Sequence, residues 1–210
     1  MSQPRPRNPV LVVMSRWPAT GRCKRRLAAS IGNNAAARVQ ARLRAHTLTL
    51  AEAMQQEGLL NLQLAMAGGG AKREQRRLRQ PVSRQGRGCL GLTMRRQLLQ
   101  AARTAPGQPL LIIGTDLPSL SRRDLAEALE AVRQHPIVLG PASDGGYWLL
   151  GLNDALAKDC PAWLFTGIAW GGDAVLQTTL TRCHHQGYSP HLLPIHNDID
   201  RLEDLAPWLA

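Results

Sequence analysis

Asp116 follows an apolar run directly, in Ile113-Gly114-Thr115-Asp116-Leu117-Pro118. A carboxylate at the carboxyl end of a buried strand, fixed by a proline turn, is placed to hold Mg²⁺ bridging the phosphates of a nucleotide. The same residue type also suits an Asx-turn or a helix cap. Gly21-Arg22-Cys23-Lys24-Arg25-Arg26-Leu27 has the character of a phosphate loop. A glycine turn that feeds a helix N-terminus offers free N–H groups and a favourable dipole. Lys24 and Arg26 add a point charge and a bidentate donor. It is not a Walker A loop, since the GxxxxGK[ST] spacing is missing, and a solvated basic helix start is the plainer reading. In Gly140-Pro141-Ala142-Ser143-Asp144-Gly145-Gly146-Tyr147-Trp148, the paired glycines permit positive φ or close backbone approach. Asp144 there suits orienting a sugar hydroxyl or accepting a proton, although Asp-Gly is first a hairpin signal. In Asn197-Asp198-Ile199-Asp200, Asp200 with Glu203 three residues on has capping-box spacing, which does not exclude a metal role. His184-His185 suits a solvated helix end better than a metal site. Cys23 has no His/Asn partner pattern of a cysteine hydrolase.

These residues need elements to position them. Val10 to Met14 is an apolar, β-branched run followed by turn residues, which fits a strand buried on both faces. Arg25 to about Gln56 reads as one long helix, or two broken near Gly32-Asn33-Asn34. Further strands are expected at Leu59 to Ala67, Leu110 to Gly114, Ile137 to Gly140, Tyr147 to Leu152 and His191 to Ile195. Helices are expected at Leu92 to Arg103, after a Ser121 cap with Asp124 at N3, over Asp173 to Cys183, and over Leu202 to Leu209. Strands alternating with helices imply an α/β domain with a mostly parallel sheet, whose ligands bind at the strands' carboxyl ends. Ala71 to Arg87 carries Lys72, Arg73, Arg76, Arg77, Arg79, Arg84 and Arg87 and few apolar residues. It reads as a surface loop bordering the cleft that draws in anions, or as plain solvated charge.

The chain has 210 residues, enough for one domain with a core of its own. A polar arm over residues 1–9 and a single domain over 10–210 is the expected division. With 44% hydrophobic and 20% charged residues, global disorder is not expected. No apolar stretch approaches the roughly 20 residues of a membrane span, and Val10 to Met14 is short for a signal-peptide core. Four scattered cysteines without a CxxC pair argue against a zinc cluster or disulfide framework, so reduced thiols and a cytoplasmic location are expected. The net charge of +11 points to anionic partners. A nucleic-acid role lacks support: no helix-turn-helix, zinc finger or RNP-like pattern occurs, and aromatics are only 4%.

Together the segments resemble the bacterial GT-A-like proteins labelled arsenosugar-biosynthesis-type glycosyltransferases, in the nucleotide-diphospho-sugar transferase superfamily and related to 2-phospholactate guanylyltransferase. Gly140 to Leu152 is similar to that family's GPAxDGGYxLxGL, and Ile113 to Pro118 to its IGxDxP. Leu164-Phe165 with Trp170 is similar to LF-x-x-I-x-W, and Asp198 to Leu205 to DxDxxxDL. The resemblance implies a GT-A fold, a Rossmann-like three-layer sandwich with a mostly parallel mixed sheet. It implies that Gly21, Lys24 and Arg26 form the phosphate loop, matching G-x-x-K-T-R-L. Thr115, Gly145 and Gly146 complete the expected nucleotide-binding set. It also implies that Asp116 is the metal-binding aspartate and that Asp200 is the second ligand, with Mg²⁺ or Mn²⁺ as the cofactor.

Three segments depart from the family pattern: Arg25 replaces the threonine of K-T-R, Cys89 and Thr93 replace the aspartate and arginine of G-D-L-G-x-R-M, and W-S-T reads Trp170-Gly171-Gly172. The expected function is a nucleotide-dependent transferase. Glycosyl transfer from a nucleotide-sugar donor to a small-molecule acceptor comes first, with Asp116 and Asp144 as the catalytic carboxylates. The alternatives are guanylyltransferase-like nucleotidyl transfer releasing pyrophosphate, or a nucleotide-binding protein without turnover.

Overall fold

The computed structural model describes residues 8–68, 72, 76, 80–200 and 202–208. A seven-stranded sheet runs through it in the order β3-β2-β1-β4-β6-β5-β7. Its strands are β1 (Val10–Arg16), β2 (Asn61–Ala67), β3 (Val82–Arg84), β4 (Leu110–Ile113), β5 (Ile137–Pro141), β6 (Tyr147–Leu152) and β7 (His191–Leu192). Every neighbouring pair is parallel except those involving β6, which lies antiparallel between β4 and β5. The β5–β6 hairpin therefore brings the Asp144 turn back to the same end of the sheet as the carboxyl ends of β1 and β4.

The continuous apolar runs arise because both sheet faces are covered. Leu11 and Val13 of β1 and Leu111 and Ile113 of β4 face one core with Leu48, Met54, Leu125 and Leu129. The alternate residues, Val10, Val12, Leu110 and Ile112, face a second core with Met94, Leu98, Phe165 and Cys183. Strand alternation thus feeds two helical layers. The first layer is α2 (Asn33–Gln56) and α4 (Arg122–Gln134). The second holds α3 (Leu90–Thr104), the short α5 (Asp154–Ala157) and α6 (Val175–His185). The three-layer α/β expectation holds.

The chain breaks the Arg25-to-Gln56 stretch into two helices. Gly32 stands at φ 80 and ψ 157, which closes α1 (Arg25–Ile31) and opens α2. Glycine adopts that backbone without the steric cost a Cβ adds. The capping box at α4 is present: Ser121 accepts from the Asp124 N–H, and the Asp124 carboxylate accepts from the Ser121 N–H at 2.8 Å. Such a box contributes about 1 kcal/mol.

Several local expectations need correction. The basic stretch is not all loop, since β3 forms within it and pairs with β2. Arg73, Arg77 and Arg79 lie outside the described residues. The late strand is only His191–Leu192, with one further bridge between Ala142 and His196. The short terminal helix is present as a 3₁₀ helix, Glu203–Trp208. Among the described residues, no helix is long and apolar enough to cross a membrane.

Candidate functional site

A cleft of about 730 Å³ opens at the carboxyl ends of β1, β4 and β3 and at the β5–β6 turn. Its lining includes Arg22, Lys24, Arg25, Arg26, Thr115, Asp116, Asp144, Asp198 and Asp200. Residues far apart in sequence meet here because each follows a strand end in one sheet.

The loop after β1 is shaped from within. The Arg22 N–H donates to the Ala19 carbonyl at 3.0 Å, and the Cys23 thiol is buried and donates to the same oxygen at 3.4 Å. Lys24 caps α1 in the left-handed region, at φ 47 and ψ 52. That backbone is uncommon for a residue with a side chain. It sends the ammonium inward, where Nζ lies 2.7 Å from Asp116 Oδ1, with the Lys24 side chain only 4% exposed. Nζ also donates to the Ile199 carbonyl.

The loop after β4 is held from below. The Thr115 hydroxyl is buried and accepts from Gln40 Nε2 at 3.2 Å, and the Asp116 carbonyl accepts from the Ile199 N–H at 3.0 Å. Lys24, Asp116 and Ile199 thus join three loops. Arg26 Nη1 pairs with Asp200 Oδ2 at 2.7 Å, and the Asp200 N–H donates to Asp204.

On the far side, Asp144 Oδ1 accepts from the Gly146 N–H at 2.8 Å, so Asp144 forms the hairpin turn and also lines the cleft. Gly145 stands at φ +86, and a Cβ there would come within 1.9 Å of the Asp173 carbonyl oxygen. Only glycine lets this turn dock against the start of α6, where the Leu176 N–H donates to the Gly145 carbonyl. The segment leading to Asp198 is clamped by His196. Its Nδ1 is 3.0 Å from Ser119 Oγ and its Nε2 3.2 Å from Asp124, and its carbonyl accepts from the Ser143 N–H.

Of the expected residues, Lys24, Arg26, Thr115, Asp116, Asp144 and Asp200 come together in the cleft lining, whereas Gly21, Gly145 and Gly146 stand outside it. Asp200 turns to Arg26. Asp198 was missed as a site residue, although the Asp-Ile-Asp alternation held the signal. Burial pushes the Asp198 carboxyl above the usual range; the charges of Asp144 and Asp116 push the same way, and Lys24 opposes them. Asp198, Asp144 and Asp116 therefore face a common space. Among the described residues, no group of three or more His, Cys, Asp or Glu is placed to hold a metal ion. Hard cations such as Mg²⁺ and Mn²⁺ ask for less at phosphate chemistry, where one or two carboxylates are enough and phosphate oxygens and water complete the shell. At the departure from G-D-L-G-x-R-M, Thr93 is buried and its hydroxyl is spent on the Cys89 carbonyl at 2.9 Å.

Known proteins share this architecture. The crystal structure of a candidate nucleotide-diphospho-sugar transferase from Desulfovibrio desulfuricans G20 matches with a TM-score of 0.79 and 24% identity, over 94% of this chain and 84% of that one. The inositol-1-phosphate CTP transferase of T. maritima matches with a TM-score of 0.60 and 13% identity, over 97% of this chain and 94% of that one. The manganese complex of Rv0371c from Mycobacterium tuberculosis H37Rv gives 0.53 and 17% identity, over 96% and 98%. The fold is that of the nucleotide-diphospho-sugar transferases. No curated protein matches the chain significantly. The profile of a family described as an uncharacterized protein conserved in bacteria, DUF2064, matches residues 47–172, more than half of the sequence, and the chain belongs to that family.

Proposed function

We propose that the protein is a nucleotide-dependent transferase that moves a nucleotidyl group from a nucleoside triphosphate to a small-molecule acceptor and releases pyrophosphate. One observation carries this reading: the cations Arg22, Lys24, Arg25 and Arg26 follow β1 and adjoin Asp116 and Asp198 across the same cleft. That charge density suits a triphosphate better than the two charges of a sugar diphosphate. The likeness to a CTP transferase supports it at the level of the fold.

In the reaction, an acceptor oxygen attacks the α-phosphorus in line, and the bond from that phosphorus to the bridging oxygen of the β-phosphate breaks. Pyrophosphate leaves with the electron pair. Lys24 and the loop arginines hold the β- and γ-phosphates and stabilise the charge that builds on the leaving group. Asp116 and Asp198, with Asp200 at the rim, would hold Mg²⁺ or Mn²⁺, which supplies further neutralisation of the phosphates when bound. Closing Lys24 onto phosphate frees the Asp116 carboxylate it now pairs.

A second reading, glycosyl transfer from a nucleotide-sugar donor, is favoured by Asp144. Asp144 lines the cleft with Oδ1 engaged in the turn, and a carboxylate there suits accepting an acceptor's proton. The test is a thermal-shift and turnover screen of nucleoside triphosphates and nucleotide sugars, with and without Mg²⁺ or Mn²⁺. Triphosphate-specific, metal-dependent stabilisation with pyrophosphate release is expected. Release of a nucleoside diphosphate from a nucleotide sugar would shift the assignment to glycosyl transfer. No stabilisation by any nucleotide would overturn both.

A further inference from the structure

We propose that Gln85 reads the base of the nucleotide, its Oε1 accepting a hydrogen bond from an N–H on the base edge. The inference rests on the nucleotide reading above and assigns its specificity to one side chain.

Gln85 follows β3 and lines the cleft. Its backbone is held on both sides, with its N–H donating to the Met66 carbonyl at 3.0 Å and its carbonyl accepting from Arg96 Nη1 at 2.7 Å. The side-chain amide is oriented too. Nε2 donates to the Ser15 carbonyl at 3.1 Å and to the Ala65 carbonyl at 2.9 Å. Two carbonyl oxygens cannot face a third, so the nitrogen must occupy that position and both of its hydrogens are used. Oε1 is left rigidly placed. It accepts no hydrogen bond among the described residues and is not sealed from solvent. A fixed, accessible acceptor in a cleft wall selects for a donor.

The layout says which part of a nucleotide meets it. The cleft's acidic residues, Asp116, Asp144, Asp198 and Asp200, follow β4 or later strands. The opposite end carries Arg16, Ala67, Gln85 and Met94 and, among the described residues, no carboxylate. The phosphate-binding loop after β1 lies between the two ends in the sheet order. With phosphates on that loop and the reacting centre beside the carboxylates, the base falls at the β3 end. Ala67 and Met94 there give it apolar contact, and Gln85 gives it one directional polar contact.

The experiment pairs a base-edge deletion with a side-chain deletion. Calorimetry measures binding of nucleoside triphosphates to the parent and to Gln85→Met, each compared with an analogue lacking the edge N–H: purine riboside triphosphate for ATP, zebularine triphosphate for CTP, and N-methylated forms for GTP and UTP. In the parent, the preferred nucleotide should bind roughly tenfold or more tightly than its analogue, the scale of one lost hydrogen bond in a fixed site. In Gln85→Met, the nucleotide should weaken by a similar factor and the preference over the analogue should vanish. A variant that keeps the full discrimination overturns the proposal. So does a parent that binds nucleotide and analogue equally, a comparison that stands even if the variant does not fold. Binding of inorganic triphosphate separates the two levels. If it binds and bases are not distinguished, Gln85 is no reader and the phosphate site survives; if nothing phosphorylated binds, the nucleotide reading falls and this inference falls with it.

Discussion

Replacing Lys24 by methionine should move two affinities in opposite directions. Lys24 Nζ sits 2.7 Å from Asp116 Oδ1, on a side chain that is 4% exposed, whereas the Asp116 side chain is 47% exposed. The ammonium thus occupies the approach to a carboxylate that a divalent cation would need. A triphosphate draws Lys24 away and opens that approach, so metal and nucleotide should bind together better than either binds alone. A charge-assisted hydrogen bond to phosphate contributes about 1.5–3 kcal/mol, so nucleotide affinity should fall about 10- to 150-fold in the variant. Metal alone should bind several-fold more tightly, a gain of about 1 kcal/mol once screening at the half-exposed carboxylate is allowed for. The fold should lose about 1–3 kcal/mol, because Asp116 keeps access to water but the Ile199 carbonyl loses its donor. The assay is calorimetry with Mn²⁺ alone, with triphosphate in chelator, and with both. If triphosphate affinity is unchanged, Lys24 does not hold phosphate. If metal-alone affinity falls with it, Lys24 organises the site rather than competing with the cation, and the argument fails.

Asp198→Asn should stabilise the free protein while weakening metal-dependent nucleotide binding. Burial and the nearby Asp144 and Asp116 charges raise its pKa, so its contribution to stability is complete below the ordinary carboxylate pKa and is lost as pH rises through the raised value. The Asn variant should therefore melt higher than the parent at neutral pH and show a flatter melting profile from about pH 4 upward; identical profiles would remove Asp198 from the carboxylate cluster. Gly145→Ala should cost at least about 2 kcal/mol, since φ is +86 and the new Cβ would meet the Asp173 carbonyl oxygen at 1.9 Å. Urea denaturation measures it, and an unchanged midpoint would mean that the turn relaxes freely.

The strongest sequence signals were those in which local chemistry and tertiary demand agree. Val10 to Met14 and Leu110 to Gly114 read as buried strands because a strand covered on both faces has no polar side to confuse the pattern. Ser121 and Asp124 marked the start of α4 because a capping box is a purely local device. Strand β3 was illegible: it is three residues long, and Val82 is its one apolar side chain. Its pairing is set by β2, on the other side of the basic stretch. The antiparallel sense of β6 was signalled only by the Asp144-Gly145 turn, since a buried run such as Trp148-Leu149-Leu150 has the same composition in either direction. Lys24, Asp116 and Asp144 could be chosen as cleft residues because each follows a strand or turn signal. Choosing between Asp198 and Asp200 was different. They differ in what lies opposite, Asp144 for one and Arg26 for the other, and neither partner adjoins them in the chain.

The two ends of the sheet have a bearing on how the protein behaves at high concentration. A long exposed edge strand is a template for pairing with another chain, and natural sheets blunt such edges. Here β3 spans three residues and β7 two. Pro81 precedes the first, and Pro190 and Pro194 flank the second, each lacking the N–H that a growing ladder requires. The long strands β1 and β2, with the apolar runs most able to form intermolecular ladders, lie inside the sheet with partners on both sides. Resistance to aggregation thus depends on these short, proline-bounded borders staying in place, and lengthening either one would extend an open ladder toward neighbouring molecules.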